Sequence, residues 1–192
     1  MKKILVSIFV LFAMQTVCFA DAETDLHQLY IGKIQAQGIK YSTLNYFGAI
    51  ANGNFQLTEM FLKAGMSPDA TFMKAPALYM AIAHNQDDIV KLLLDNNVDP
   101  NKEMAGFTPL ILAIRNKDAK IVETLIEYGA DVNKDVAYTN PLTYAIKKNQ
   151  PKIVELLINA GAEPSEEALI KALKSKDNYI KETVLNKFKS MD

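Results

Sequence analysis

Residues 106–133 read GFTPLILAIRNKDAKIVETLIEYGADVN, and the apolar spacing inside this stretch decides the fold. Leu110, Leu112, Ala113 and Ile114 indicate a short helix. Ile121, Val122, Leu125 and Ile126, at i, i+1, i+4 and i+5, form the inward stripe of a second. Thr108 can cap the first helix, and Pro109 fits its first turn, where a missing N–H costs nothing. Gly129 stands where a helix C-terminus needs a left-handed residue. Helix, turn, helix and loop therefore follow one another within about thirty residues.

Sliding the chain against itself by 32 residues brings Ala49, Ala81, Ala113 and Ala145 into register, each followed by Ile. Three positions earlier stand Tyr46, Leu78, Leu110 and Leu142; eight positions later come Leu57, Ile89, Ile121 and Ile153. Gly65, Asn97, Gly129 and Gly161 fill the helix-ending column. Agreement over this many columns at a fixed period signals a solenoid of stacked units. Stacked units need atypical ends, because their outer faces meet water. Asp25 to Gln37, with Leu26, Leu29, Tyr30 and Ile34 on one helical face, is expected to form an N-terminal cap. Leu169, Ala172, Ile180, Val184 and Leu185 repeat the unit at a shift of 27, as a closing helix pair with its hairpin deleted.

These residues resemble the ankyrin repeat, over roughly residues 42 to 188. Gly106-Phe107-Thr108-Pro109-Leu110, Ala113, Ile121-Val122 and Gly129-Ala130-Asp131-Val132-Asn133 carry the match, with Pro141-Leu142, Ile153-Val154 and Gly161-Ala162 in the next unit. The resemblance implies an all-α solenoid of helix-turn-helix units joined by short β-turns or hairpins. The expected division is a signal at 1–20, a capping helix at 21–41, units at about 42–70, 71–102, 103–134 and 135–164, and a cap at 165–192. The family usually has His after the Pro-Leu pair, tying adjacent turns together. Here those positions are Tyr79, Ile111 and Thr143, which puts the stiffness of the turn region in question. The period is one residue below the usual 33, which implies a shorter hairpin.

Ahead of the repeats, Lys2 and Lys3 precede an apolar run from Ile4 to Met14 broken only by Ser7, and Gln15 to Ala20 ends in a small residue. That is the layout of a cleaved secretory signal. Eleven helical residues reach only about 16 Å, against a hydrocarbon core of about 30 Å, so a retained anchor is disfavoured. Cleavage is expected after Ala20, with Ala22 as the alternative. Val17 before Cys18 speaks against lipidation. Loss of the segment removes the one Cys and leaves 19 basic against 22 acidic residues, a charge of −3. The Lys-Lys start and the Lys- and Asn-rich body read as bacterial. A periplasmic or secreted monomer with no membrane insertion after cleavage is the expectation.

Composition bounds the work the chain can do. With 49% apolar residues and a net charge of −1 it is no disordered tail, and it lacks the basic excess that nucleic acid requires. A single Cys excludes a disulfide framework. Catalysis needs groups that converge. His27 and His84 lie at least one repeat apart, and Asp87, Asp88, Asp95, Asp99 and Glu103 lack the spacing of a calcium loop. Asp87 and Asp88 suit a helix start instead. No phosphate loop or nucleophile elbow is present, so no enzyme activity, cofactor or metal is expected.

Binding in stacked repeats falls on the concave surface, which the resemblance assigns to hairpin tips and the exposed side of each first helix. By register the tips are Phe72 and Met73, Met104 and Phe107, and Val136 and Tyr138; the helix positions are Met80 with His84, Leu112 with Arg115 and Asn116, and Tyr144 with Lys147 and Lys148. Aromatic and Met side chains rimmed by polar groups suit a protein partner, unless the tips pack on each other. Arg115, Lys147 and Lys148 favour a partner with acidic groups. The expected role is a non-catalytic protein-binding module, supporting an envelope protein or neutralising a periplasmic toxin as an immunity protein. A small-molecule-binding or catalytic protein using a groove near His84 is the alternative.

Overall fold

Four of the five first helices begin where the sequence supplies an acceptor for an orphan N–H; the one at Ala77–Ala83 follows Pro76 and has no side-chain cap. Thr108 Oγ1 accepts from the Ile111 N–H at 3.2 Å, Asn140 Oδ1 from Thr143 at 2.8 Å, and Ser165 Oγ from Ala168 at 3.2 Å. The computed structural model describes residues 23–136 and 139–191. The segment read as a signal, with Cys18, lies outside these residues, as does Tyr138.

In chain order the elements are α1 over 23–35, α2 Thr43–Ala51, α3 Phe55–Lys63, β1 Thr71–Phe72, β2 Ala75–Pro76, α4 Ala77–Ala83, α5 Asp87–Asp95, α6 Pro109–Asn116, α7 Ala119–Glu127, α8 Pro141–Lys147, α9 Pro151–Asn159, α10 Glu166–Lys174 and α11 Asn178–Lys189. Helices from α2 onward pair antiparallel within a unit and stack in two rows. The first row is α2, α4, α6, α8 and α10; the second is α3, α5, α7, α9 and α11. The architecture is an all-helical solenoid, and its apolar core runs unbroken from Ile34 to Val184. Ala49, Ala81, Ala113 and Ala145 are buried where the first helices meet, and a larger side chain there would hold the rows apart.

The loops between the rows are short hairpins. β1 and β2 pair antiparallel around Met73 and Lys74, whose φ values of 50° and 68° give the two-residue turn that matches strand twist. Met104 pairs with Phe107 around Ala105 and Gly106 in the same way, and Val136 pairs with Thr139. Gly129, at φ 84°, ends α7 in the left-handed region, and Asn97 does so after α5 at φ 62°. Gly53 serves a different need. A Cβ there would fall 2.3 Å from Gln86 Oε1, so glycine lets the Gln86 amide reach back one repeat and donate to the Ala51 carbonyl at 3.3 Å. Asn116 to Ile82 O at 2.8 Å and Gln150 to Ile114 O at 2.9 Å continue this ladder of amides across the stack.

Both ends differ from expectation in detail. Leu26 and Leu29, expected on the packed face of α1, are exposed; the helix instead turns His27, Tyr30, Ile31 and Ile34 toward the stack, one residue round from the expected stripe. At the other end Ala172, Ile180 and Val184 are buried and Leu169 and Leu185 half-buried. Ile170 and Leu173 stand 52% exposed, at positions that in earlier units, as Thr143 and Ile146, are covered by the following element.

Tyr46 shows what the core tolerates. Its ring packs edge-on against Phe47 and Phe61, while its hydroxyl is buried with no hydrogen-bond partner among the described residues. Burial, seconded by Asp69, holds that hydroxyl far above the ordinary tyrosine range. Tyr46→Phe removes an unpaired polar atom and keeps the ring. It is expected to leave stability unchanged or raise it by up to about 1 kcal/mol, read as thermal melting no lower than the parent's.

Candidate binding face

The hairpins attach to the first-helix row, β1 against α2 and β2 against α4, so hairpin tips and the free sides of these helices form one face. The charge of its first four helices is one-sided, although the hairpin segments also carry Asp69, Glu103 and Asp135. The helices α2, α4, α6 and α8 with their C-caps contain Arg115, Lys117, Lys147 and Lys148 and no carboxylate. The helices α3, α5, α7 and α9 carry Glu59, Asp87, Asp88, Asp95, Glu123, Glu127 and Glu155 against four lysines. A cation in the last turn of a helix offsets its dipole, but that local benefit does not account for the absence of acids along four successive helices of the row; α10, which ends it, carries Glu166 and Glu167. Arg115, Lys117 and Lys147 have no carboxylate within ion-pair distance among the described residues. Lys120 instead pairs with Asp87 at 3.0 Å and Lys134 with Glu103 at 2.9 Å.

A cavity on this face lies between the first two hairpins. Tyr79, Met80 and Ala83 of α4, Met104 and Phe107 of the hairpin after α5, and Leu112 and Arg115 of α6 line a cavity of about 250 Å³. Five expected contact residues, Met80, Met104, Phe107, Leu112 and Arg115, thus meet at one place. Leu112 is only 5% exposed, so it is a floor of the cavity and not the outward contact expected; α6 is crowded by α4 and α8, and its side chain turns into that seam. The Arg115 guanidinium lies 5.5 Å from the centre of the Phe107 ring, a cation–π distance that holds it over the cavity mouth.

The other expected contacts are dispersed. Val136 is 5% exposed and belongs to the packed interior, because its strand-like pairing with Thr139 turns it inward. Phe72 is half-buried, its ring 5.6 Å from that of Phe47, so this tip does pack on its neighbour. Met73 is 86% exposed at the turn itself. Half-buried Asn116 spends its amide on the Ile82 carbonyl and on Asn85 Oδ1. His84 caps α4 in the open, Lys147 is exposed, and Lys148 stands 5.4 Å from the Tyr144 ring centre. His27 and His84 sit on different helices, and among the described residues no three His, Cys, Asp or Glu side chains gather as metal ligands. No helix among them is long and apolar enough to cross a membrane.

Tyr79 is the residue whose role its type conceals. It occupies the column where a histidine was expected to tie adjacent turns. Its hydroxyl accepts from the Met104 N–H at 3.1 Å and donates to the Phe107 carbonyl, pinning both ends of the next hairpin. Burial pushes that hydroxyl up to about 12, with Met104 pulling against the shift and Glu103 adding to it, so it remains a donor at neutral pH. Tyr79→Phe would remove the hydroxyl's bonds to both ends of the hairpin, while the Met104 N–H keeps the Phe107 carbonyl at 3.0 Å. The expected cost is about 0.5–1.5 kcal/mol, with faster amide hydrogen exchange confined to 104–107. Removing the same atom at Tyr46 and at Tyr79 therefore gives opposite signs.

Residues 99–168 match the model for ankyrin repeats in three copies, and residues 74–102 match a model for a single ankyrin repeat. No curated protein matches the chain.

Proposed function

The chain belongs to the ankyrin-repeat family, whose repeats are protein–protein interaction modules and typically non-catalytic, and on that premise we propose that it binds a partner protein in the bacterial periplasm through its hairpin and first-helix face. The carrying observation is the segregation of charge: four cations and no carboxylate along α2, α4, α6 and α8, around an apolar cavity. A surface of one sign beside an apolar depression favours a partner whose contact region is acidic around an apolar anchor. Binding alone would then produce the effect, by occluding or stabilising the partner. The periplasmic address rests on the Lys2-Lys3 start, the short apolar run and Ala20.

The test is expression of the full chain with a C-terminal tag, followed by fractionation and capture from native envelope extract. The expected result is a periplasmic chain beginning at Asp21 or Glu23 that enriches one protein. That enrichment should be lost when Arg115, Lys147 and Lys148 are all replaced by Glu. The identity of the captured protein separates a toxin from an envelope enzyme. A chain that stays in the cytoplasm at full mass, or a reversed variant that captures the same protein equally well, contradicts the proposal.

A further inference from the structure

We propose that the cavity between the first two hairpins is a socket for one apolar side chain of the partner, with a side-chain carboxylate next to it in sequence held by Arg115. This rests on the protein-binding reading above and names what that face recognises. Size is the first reason. At about 250 Å³ the cavity lies below the roughly 300–1,000 Å³ of sites that enclose a whole small molecule, and it suits a benzyl or isobutyl group.

Chemistry of the walls is the second reason. Met80, Ala83, Met104, Phe107 and Leu112 present carbon and sulfur, and the one hydroxyl in the lining, that of Tyr79, is already engaged with Met104 and Phe107. A polar group entering would lose its water and find no partner, which costs far more than an apolar one pays. Two methionines also give the walls the pliancy to close around differently shaped side chains.

Charge is the third reason. Arg115 is exposed at the mouth, placed by Phe107, and lacks a carboxylate partner among the described residues. Its fork of donors matches a carboxylate in two parallel bonds. With no acid on α4, α6 or α8, nothing on the chain's own first helices competes for it.

The test uses the purified chain labelled at its methionine methyls, since Met80 and Met104 report from inside the cavity while Met66 and Met191 lie elsewhere. The probes are the blocked dipeptides acetyl-Phe-Glu-amide, acetyl-Phe-Gln-amide and acetyl-Ser-Glu-amide. The Phe-Glu probe is expected to move the Met80 and Met104 signals saturably and to leave Met66 and Met191 in place; the Ser-Glu probe moves none. The Phe-Gln probe is expected to bind about two- to fivefold more weakly, the range of one exposed ion pair, and Arg115→Gln should erase that difference. Ala83→Trp, a change at an exposed lining position, should fill the socket and abolish the shifts.

Met80 and Met104 signals that stay fixed up to the solubility of the probe, or that follow the Ser-Glu probe equally, overturn the proposal. So do shifts that track protein concentration alone, which would mean that a second copy fills the cavity. Toluene binding as tightly as the Phe-Glu probe would mean an apolar small-molecule site with no use for Arg115. Each of these failures leaves the broader protein-binding reading intact, because that is decided by capture and not by the dipeptides.

Discussion

Truncation of Leu110 to alanine is expected to cost about 2–5 kcal/mol of folding stability, a large part of the ~5–15 kcal/mol that holds a domain together. Leu110 is fully buried in α6, which packs on α4, α7 and α8 at the centre of the stack. Deleting its branched end leaves a hole that rigid neighbours on three sides cannot close. Because each unit touches only the units beside it, a weak central pair also uncouples the two flanks. Urea unfolding followed by circular dichroism should therefore show an earlier and broader transition. The matched control is Leu173→Ala in α10, the same chemical deletion at a half-exposed site, for which a loss under about 1 kcal/mol is expected. Equal losses at the two positions would mean that the central seam is not the continuous core described above.

Reversal of charge on the first-helix row, with Arg115, Lys147 and Lys148 all changed to Glu, should have the largest effect on binding and almost none on folding. All three side chains are exposed, and none forms an ion pair with a described residue that would have to be broken. Six units of charge change would turn attraction to an acidic partner into repulsion. Association with the captured partner is expected to slow about 10- to 100-fold at low salt. The gap should narrow as salt shortens the screening length from about 10 Å at 0.1 M to about 3 Å at 1 M. Surface plasmon resonance at several ionic strengths reads both quantities. An association rate that is unchanged at low salt would place the interface on another face.

The repeat was legible in the sequence because stacking imposes one demand on every unit. Ala113 must be small where the first helices meet, Leu110 and Ile121 must fill the space behind it, and Gly129 must turn the chain left-handed; the same demands fall 32 residues away in both directions. Where that repetition ends, so does legibility. Leu26 and Leu29 fit an amphipathic stripe as well as His27 and Ile31 do, and only the direction from which α2 and α3 approach decides which stripe is buried. Ile170 and Leu173 keep the apolar character of inner columns, yet no following unit among the described residues covers them.

The binding face was legible at the level of columns and not of side chains. Register placed Met80, Met104, Phe107 and Arg115 on one side, but whether a tip points outward depends on its neighbour's bulk. Phe72 found Phe47 to lie against, Val136 turned inward, and Leu112 sank between α4 and α6. Tyr79 was missed as a tie because the expectation was for an imidazole. What ties the hairpin to α4 is a further acceptor for one N–H and a further donor to one carbonyl, and a phenol at the end of a longer arm supplies both. The signal that could have found it is the lone Tyr in a column otherwise filled by Phe47, Ile111 and Thr143.

The most direct measurement of the central claim is amide hydrogen exchange on the chain alone and in complex with its captured partner. Binding through the hairpin face predicts new protection within 71–84, 104–117 and 139–148, the hairpins and first helices, while α5, α7 and α9 exchange as in the free chain. Protection concentrated on α5, α7 and α9, with the hairpins unchanged, would contradict it.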